Sequence, residues 1–396
     1  MIHRGIATFT LDTGRCPPWL FARMVRLGRS VTEVLVDEFG PDEFVRRIAD
    51  PVWFQSLGTV LAFDWNASGL TTILTAALKE AIRGQEKDLG VFICGGKGKT
   101  SRRTPEEILQ WGDRIYLAEN KIRNLAYNSK MSAKVDSALV QDGFQIYHHS
   151  FFFSRTGAWA VVQQGMNADA GAARRYHWHS ESAQDLVSEP HAAIASEATV
   201  SKALNLVSRQ SAATRALSVD MVNAGLPALM KDVTILRKHS SSLSRMVKMA
   251  NGRTGRQLTL LELADTEFRH HPVVYENFSK SRYLDKILGR LAGDKPKNYE
   301  ALVATEGVGP KTVRALALVG EIIYGAKPSY EDPARYSFAH GGKDATPYPV
   351  DRPTYDEVIS ILAAAVRRAR WAPQERDRAL ARLERRRAPR FPSHIQ

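Results

Sequence analysis

The stretch between residues 144 and 164 constrains the fold of this chain more than any other feature. Residues 144–154 and 158–164 are rich in aromatic and β-branched residues, and the Arg-Thr-Gly segment between them has the length of a hairpin turn. Residues 89–94 add a short apolar run before a glycine-rich loop. These segments predict a β-hairpin and a buried strand that ends in the glycine-rich loop.

Most of the remaining sequence has the three-and-four spacing of apolar residues that is typical of amphipathic helices. Residues 18–62 predict several short helices, with Pro41 and Pro51 in first turns, where proline is accepted. Residues 104–131 predict a further helix with a break at Gly112. After about residue 190 the strand pattern fades and the chain reads as helical.

These patterns predict an α+β protein with two domains and a tail. A mixed α/β domain covers residues 1–195, and a mostly helical domain covers residues 196–366. Residues 332–353, dense in Pro, Gly, Asp and Tyr, predict a structured clasp loop within the helical domain. Residues 367–396 form an arginine-rich tail.

The charge of the chain indicates a polyanionic partner. Lysine and arginine total 55 and aspartate and glutamate total 42, which gives a net charge of +13. Ten arginines and three acidic residues between Arg367 and Arg390 supply +7 of that excess. Because basic side chains release counterions when they contact phosphates, we expect DNA binding; a solvated helical tail is the alternative. The basic side chains expected to contact phosphates are Lys97 and Lys99 in the glycine-rich loop and Arg367, Arg368 and Arg370 in the tail.

Residues 299–324 resemble a helix-hairpin-helix motif. Gly307 and Gly309 allow a tight turn with outward N–H groups, and Pro310 suits the first turn of a helix whose positive end attracts a phosphate oxygen. The residues expected to contact DNA are Gly307, Val308, Gly309, Lys311 and Thr312. A helical hairpin without a ligand is the alternative.

Two positions depart from this motif. Thr305 stands where an apolar residue is usual, and Glu306 stands where proline is frequent and places a carboxylate near the expected phosphate. Lys311 also occupies the position of the Schiff-base lysine in bifunctional DNA glycosylases of this motif class. The position of their catalytic aspartate is Ser329 here, so the residues favour a glycosylase or lyase less than backbone binding.

Histidines cluster between residues 148 and 191, where five of the eleven lie. Strand alternation would place His148 and His149 on opposite faces and His177 and His179 on a shared face. Imidazole, carboxylate and guanidinium groups in one region can activate water and neutralise charge on a phosphodiester. The expected catalytic residues are Asp64, Arg174, Arg175, His177, His179, Glu189 and His191. Satisfied histidines on a half-polar sheet are the alternative.

A divalent metal is the expected cofactor, and a metal-free nuclease that uses a histidine as general base is the alternative. Asp64 follows an apolar run and precedes a glycine-containing stretch, a place where metal-dependent nucleases commonly hold a carboxylate; helix capping is the alternative. Asp64, Glu189 and His191 are the expected ligands of Mg²⁺ or Mn²⁺. The spacing of the histidines matches no standard zinc pattern. The loop at residues 95–100 is not a Walker motif, which would require glycine at Ile93.

Several segments together resemble the DUF763 family of prokaryotic proteins. They are residues 4–9, 63–69, 147–167 with the run V-V-Q-Q-G-M-N, 173–178 with A-R-R-Y-H-W, 189–191 with E-P-H, and 332–351 with D-P-A-R-Y-S-F-A-H-G-G-K-D-A-T-P-Y-P-V-D. The resemblance implies an N-terminal domain joined to a helical part that carries a helix-hairpin-helix-like element. It also directs attention to four polar residues of the clasp loop, His340, Lys343, Asp344 and Asp351.

The sequence therefore predicts a DNA-binding protein of DNA repair or processing that cleaves phosphodiester bonds with a divalent metal. The alternative is a non-catalytic DNA-binding scaffold that recruits a helicase or nuclease. Convergence of Asp64, His177, Glu189 and His191 in one cleft would favour the nuclease. Large helical surfaces are compatible with a homodimer. The apolar runs are shorter than the roughly 18 residues of a membrane span and no secretory signal is evident, so we expect a cytoplasmic protein without membrane contact.

Overall fold

The computed structural model describes residues 16–61, 67–196, 200, 203–240, 248–250, 257–259, 281–334, 336–337, 352–368 and 373–385. Its centre is a six-stranded sheet with the strand order β1, β3, β4, β5, β6, β10. These strands are β1 (Val91–Lys97), β3 (Gln145–Ser154), β4 (Trp159–Asn167), β5 (Ala172–His179), β6 (His191–Ser196) and β10 (Tyr336–Ser337). Neighbouring strands are antiparallel, except that β6 and β10 are parallel.

Helices cover both faces of this sheet, which confirms the α+β class. They are α1 (Pro18–Phe39), α2 (Pro41–Ile48), α3 (Pro51–Val60), α4 (Ala67–Ala81), α5 (Glu86–Leu89), α6 (Thr104–Arg114), α7 (Glu119–Ala138), α8 (Ala212–Asn223), α9 (Leu226–Ser240), α10 (Arg282–Asp294), α11 (Tyr299–Ala304), α12 (Pro310–Tyr324), α13 (Arg352–Arg368) and α14 (Pro373–Arg385). Two small antiparallel pairs, β2 (Val140–Gln141) with β7 (Leu204–Asn205) and β8 (Lys248–Ala250) with β9 (Gln257–Thr259), lie outside the main sheet.

Local sequence explains where several of these elements begin. The predicted hairpin is β3 and β4, and Gly157 in its turn has a φ of +104°, which favours glycine. Asp50 caps α3 by accepting hydrogen bonds from the N–H groups of Val52 and Trp53, at 2.7 and 3.0 Å, with Pro51 in the first turn as predicted.

The predicted break in the helical stretch at residues 104–131 occurs three residues after Gly112, which itself lies inside α6. The helix continues to Arg114, and α7 begins at Glu119. A Cβ at Gly112 would lie 2.6 Å from Cγ1 of Ile122, so the glycine allows close packing of α6 against α7. The residue therefore serves a contact between helices, which a local turn signal cannot distinguish from a helix end.

Apolar residues at alternate positions of the strands form two separate cores, one on each face of the sheet. Phe152, Ala160 and Val162 pack with α1 to α4 on one face of the sheet, called here the α4 face. Phe151 and Trp178 pack with α6 and α7 on the opposite face, called here the α7 face. The alternation follows from the two-residue period of a strand.

The core on the α7 face continues into the C-terminal half of the chain. It includes buried residues of α8, α10 and α12, so the helical part packs directly against α7. The chain later returns to the sheet, where β10 pairs with β6 and α13 packs on α1 and α3. Part of the arginine-rich tail is α14, which packs through the buried Ala379. Within the described ranges, none of the helices is both long and apolar enough to cross a bilayer.

Candidate functional site

A row of polar side chains crosses the sheet on its α4 face. Lys97 of β1 pairs with His148 of β3. His148 pairs in turn with Gln164 of β4, and Gln164 pairs with Arg175 of β5. Residues that pair directly across strands point to the same face, so these four side chains form one row. Lys97 is exposed and the other three are buried, so the row runs from the edge of the sheet into its interior.

Helix α4 covers this polar row with a stripe of hydroxyl residues. The histidine of the row lies 3.1 Å through Nε2 from Oγ1 of Thr75. The glutamine donates through Nε2 to the carbonyl oxygen of Ser68 at 2.9 Å, and the arginine donates through Nη1 to Oγ1 of Thr71 at 3.3 Å. Spacings of three and four place these three residues on one side of α4.

Two polar atoms in the row have no hydrogen-bond partner within the described part of the chain. They are Nδ1 of His148 and Oε1 of Gln164, both buried. Burial, and then the neighbouring His149, lower the pKa of His148 to about 3, so the ring is neutral at pH 7. An unpaired buried polar atom costs about 1–3 kcal/mol, so a hydrogen-bonding partner at either atom would be stabilising.

Arg175 and His177 form a linked pair at the buried end of the row. Arg175 Nε donates to Nε2 of His177 at 2.8 Å, and Nδ1 of His177 lies 3.2 Å from the carbonyl oxygen of Ile48. Burial and the adjacent guanidinium lower the pKa of His177 well below its usual value, and burial lowers the pKa of Arg175 to about 9. Both ring nitrogens of His177 are therefore occupied, which leaves no lone pair for a metal ion or a proton in transfer.

The strand period places the other histidines as predicted. His179 shares the α4 face with His177, whereas His149 points to the α7 face, opposite His148. His179 accepts through Nδ1 from the N–H of Glu181 at 3.3 Å, and burial lowers its pKa. His149 contacts Oγ of Ser129 in α7 at 2.9 Å.

Asp136 of α7 is the centre of a second polar cluster, on the α7 face. Its Oδ2 accepts from Nε2 of Gln163 at 2.5 Å and from Nε1 of Trp178 at 3.0 Å. Its Oδ1 lies 2.5 Å from Nε2 of His191. The aspartate is fully buried, so each oxygen of an ionised carboxylate obtains a donor in place of water.

His191 begins β6, and its side chain is only 7% exposed. With a proton on Nε2 directed at Asp136, the lone pair of Nδ1 is turned away from the carboxylate, and no described residue forms a hydrogen bond with it. The ring packs edge-on against Trp178, with the ring centroids 4.7 Å apart. A carboxylate that orients a histidine in this way is an arrangement used in acid–base catalysis.

Arg174 lies on the same α7 face but is bound by two carboxylates. Its Nη1 donates to Asp142 and to Asp332, both at 2.8 Å, and its Nη2 donates to the second oxygen of Asp332 at 2.8 Å. Asp332 opens the predicted clasp loop, so this ion pair fixes the start of that segment to the sheet. Arg174 therefore has a structural role that explains its complete burial.

Glu189 has a φ of +47°, which is uncommon for a residue with a Cβ. Its N–H donates to the carbonyl oxygen of Val207 at 2.8 Å, and its Oε2 lies 3.9 Å from Nε of Arg209. These contacts hold the short segment that leads into His191 in one conformation.

The expected catalytic residues are thus distributed over both faces of the sheet. Arg175, His177 and His179 are on the α4 face, and Arg174 and His191 are on the α7 face. Asp64 lies outside the described residues. Among those described, no three His, Cys, Asp or Glu side chains converge to hold a metal ion, so no metal site forms around His191 from this part of the chain.

A second candidate site is the hairpin of α11 and α12, joined by residues 305–309. Gly307 has a φ of +87°, and a Cβ there would lie 2.3 Å from Cδ1 of Ile287, so the turn requires glycine. Gly309 differs, because its φ of −147° is open to any residue and a Cβ would meet nothing within 4 Å. The space beside Gly309 lies at the start of α12, where backbone N–H groups have no acceptor within the helix.

Apolar side chains of this hairpin pack its two helices together. Leu302, Val308 and Leu316 are buried between the helices. Thr312 is also buried, at 2% exposure. Its hydroxyl therefore does not reach solvent, contrary to the DNA contact expected from the sequence. Contacts of Val308 and Thr312 with a ligand are therefore restricted to their backbone.

Basic residues of neighbouring helices surround the turn. Lys134 of α7 donates through Nζ to the carbonyl oxygen of Thr305 at 2.7 Å. Arg290 of α10 donates to the carbonyl oxygen of Glu306 at 3.1 Å and lies 3.3 Å from its Oε2. The carboxylate that departs from the motif is thus paired with a guanidinium, which reduces its repulsion of a phosphate.

Four further residues that the sequence predicts as phosphate contacts are on the surface. Lys97 is exposed with Nζ 5.7 Å from the ring centroid of Tyr147, and Lys99 is exposed in a 3-10 helix. Arg367 is exposed, and Arg368 forms an ion pair with Glu38. Arg370 lies outside the described ranges, as do the four polar residues of the clasp loop, His340, Lys343, Asp344 and Asp351.

Residues 5–350 match a protein family described as DUF763, a protein of unknown function. The match covers most of the chain. The chain belongs to the DUF763 family. A search of curated proteins and a search of solved structures each found no significant match.

In this DUF763 protein, sequence patterns found His191 but not its partner. Asp136 is 55 residues earlier in α7, and nothing in its neighbourhood marks it as more than a helical aspartate. The one signal in the sequence is that Asp136 falls at a helical position where the three-and-four spacing would place an apolar residue. The sequence marks Gln164 only as part of the V-V-Q-Q-G-M-N run. Its pairing with His148 and Arg175 is defined by the register of the sheet.

Proposed function

We propose that this protein binds DNA through phosphate contacts at the turn between α11 and α12 and acts in DNA repair or processing. The observation that carries the proposal is the environment of Gly309, an N-cap glycine with open space where its Cβ would be, at the start of a 15-residue helix. Helix N-termini attract anions through their N–H groups and the helix dipole. The missing side chain allows a phosphate oxygen to approach that backbone closely.

The surrounding charge supports a polyanionic ligand. The chain has a net charge of +13, and Lys134 and Arg290 lie against the backbone of the turn. A site built from backbone N–H groups and basic side chains contacts phosphates and does not recognise base edges. We therefore expect binding with little sequence preference and with a strong dependence on salt.

The test compares two glycine variants in a binding assay with fluorescently labelled duplex DNA. Gly309→Ala places a methyl group over the proposed phosphate site, in a backbone conformation that alanine adopts without strain. Gly28→Ala in α1 is the control, since its Cβ would meet nothing closer than 3.5 Å and this helix lies on the opposite side of the sheet from the turn. We expect about tenfold weaker binding for Gly309→Ala, the value of one charge-assisted hydrogen bond, and no change for the control. Equal binding by both folded variants would exclude this turn as the DNA site.

Phosphodiester hydrolysis is a second candidate function, favoured by the pairing of Asp136 with His191. In this proposal Nδ1 of His191 accepts a proton from water as the hydroxide attacks phosphorus, and the imidazolium or solvent returns a proton to the leaving oxygen. Asp136 orients the ring and stabilises its protonated form. Mg²⁺ or Mn²⁺ would need ligands beyond the described residues, for which Asp64 is the candidate from the sequence.

The test of hydrolysis uses labelled single- and double-stranded DNA with Mg²⁺, with Mn²⁺ and with EDTA. Cleavage that His191→Gln abolishes while DNA binding persists would support a nuclease. Cleavage that also persists in EDTA would assign the chemistry to histidine without a metal. Binding without cleavage under all three conditions would favour the alternative, a scaffold that recruits a helicase or nuclease.

A further inference from the structure

Helix α10 lies directly beside the turn that follows α11. Tyr283, in its first turn, donates through its hydroxyl to the carbonyl oxygen of Gly307 at 3.1 Å. Arg290, two helical turns further along, donates to the carbonyl oxygen of Glu306 at 3.1 Å. The two contacts hold the outer face of α10 alongside the proposed phosphate site.

The ring of Tyr283 is held in place and is still open to solvent. The residue is 60% exposed although its hydroxyl has a partner. The hydrogen bond to Gly307 restricts the ring, so little side-chain entropy remains to be lost when a ligand stacks on it. An aromatic ring presented in this way is the stacking platform that proteins offer to unpaired bases.

The same outer face carries positive charge. Arg282, Lys286 and Arg290 are exposed and recur at every fourth residue, so they form one stripe along the helix. Asp285, between them in sequence, is engaged by Arg237. The inner face of α10 is fixed in the core on the α7 face through Leu284, Ile287, Leu288 and Leu291.

We infer that the outer face of α10 is a binding surface for single-stranded DNA, with Tyr283 stacking on a base next to the phosphate held at Gly309. The inference rests on the proposed DNA binding at the turn and adds the kind of strand that is bound. Duplex DNA buries its base faces in its own stack, so the ring gains nothing from a duplex, whereas the basic stripe attracts both forms. The surface therefore selects single strands through the ring and not through the charges.

The test measures the affinity for a fluorescein-labelled oligonucleotide, alone and annealed to its complement, for the full chain and four variants. Tyr283→Leu removes the stacking ring, and Tyr283→Phe keeps the ring but removes the hydroxyl that contacts Gly307. Tyr324→Leu is the matched control, because Tyr324 is 53% exposed and its hydroxyl is bonded to Asp232 at the far end of α12. Gly309→Ala reports on the turn itself.

For Tyr283→Leu we expect about tenfold weaker binding of the single strand and duplex binding within twofold of the unaltered protein. Tyr283→Phe should lose less than Tyr283→Leu, and Tyr324→Leu should bind both forms normally. Equal losses for Tyr283→Leu and Tyr324→Leu, or a loss confined to the duplex, would overturn the inference. Weaker binding by Gly309→Ala with an unaffected Tyr283→Leu would leave DNA binding at the turn intact and remove α10 from it. Absence of DNA binding by the unaltered protein would remove both proposals.

Discussion

Nε2 of His191 lies 2.5 Å from Oδ1 of Asp136, where the first residue of β6 meets the last turn of α7. The other carboxylate oxygen is held by Gln163 and Trp178, so the aspartate cannot rotate without losing donors. The histidine in turn has one nitrogen committed to the carboxylate and one turned away from it. This combination of a fixed acceptor and an oriented ring suits proton transfer at Nδ1 of His191.

Replacing Asp136 with asparagine tests this pair. The change keeps the shape but removes the charge that stabilises a protonated His191, so we expect cleavage of DNA to fall by about 100-fold or more. The buried donors of Gln163 and Trp178 also lose their ionised acceptor, which should lower the free energy of unfolding by about 1–3 kcal/mol. Urea unfolding and a cleavage assay measure the two effects separately. Asp113→Asn on the exposed surface of α6 is the control and should change neither.

The two glycines of the hairpin turn should differ in their effect on stability. Gly307→Ala puts a Cβ into a backbone with a φ of +87° and into contact with Ile287, so we expect a loss of about 1–3 kcal/mol in the free energy of unfolding. Gly309→Ala meets neither obstacle and should cost less than about 1 kcal/mol. Urea midpoints of the two variants provide the comparison. A Gly309→Ala variant less stable than Gly307→Ala would contradict the geometry of this turn.

Acid should destabilise the protein through its buried histidines. The folded state holds the pKa of His148 at about 3 and lowers the pKa of His149 and His177, chiefly by burial, whereas an unfolded histidine has a pKa near 6.5. Between those values the unfolded chain binds more protons, so stability is present above about pH 6.5 and is lost as the pH falls. Each such histidine contributes a slope of about 1.4 kcal/mol per pH unit. Unfolding by urea from pH 7 down to about pH 5 should show this decline, and His148→Asn should make it shallower.

The basic helices near the C-terminus should contribute to the salt dependence of DNA binding. Removing α14 would uncover the core at Ala379, so single substitutions are the cleaner experiment. Arg367 and Arg378 are exposed, and replacing either with glutamine should reduce the slope of log affinity against log salt by about 0.9 if that residue contacts a phosphate. Affinity for different sequences should fall by the same factor. Glu375→Gln on the same segment is the control, since it should not reduce the slope.

Local patterns were sufficient for the hairpin strands, for the helices around the glycine turn and for the faces of the paired histidines. The aromatic segments are β3 and β4, and the glycines with Pro310 mark the turn between α11 and α12. Local patterns gave a wrong or missing prediction where the role of a residue depends on contact with residues distant in sequence. The helical stretch breaks after Arg114 and not at Gly112, because the packing of this glycine against Ile122 has no local signature. The strands after residue 190, including β6, were not predicted, because these short segments are defined by their pairing with neighbouring strands.

The sequence by itself determined the α+β class, the hairpin strands, the excess of positive charge and the glycine turn, because each depends on the conformational preference or charge of residues close together in the chain. Only the tertiary structure decided that Arg175 and His191 lie on opposite faces of one sheet and that Asp136 meets His191. Strand register and helix docking bring such groups together, and both depend on burying apolar surface that is spread over the whole chain.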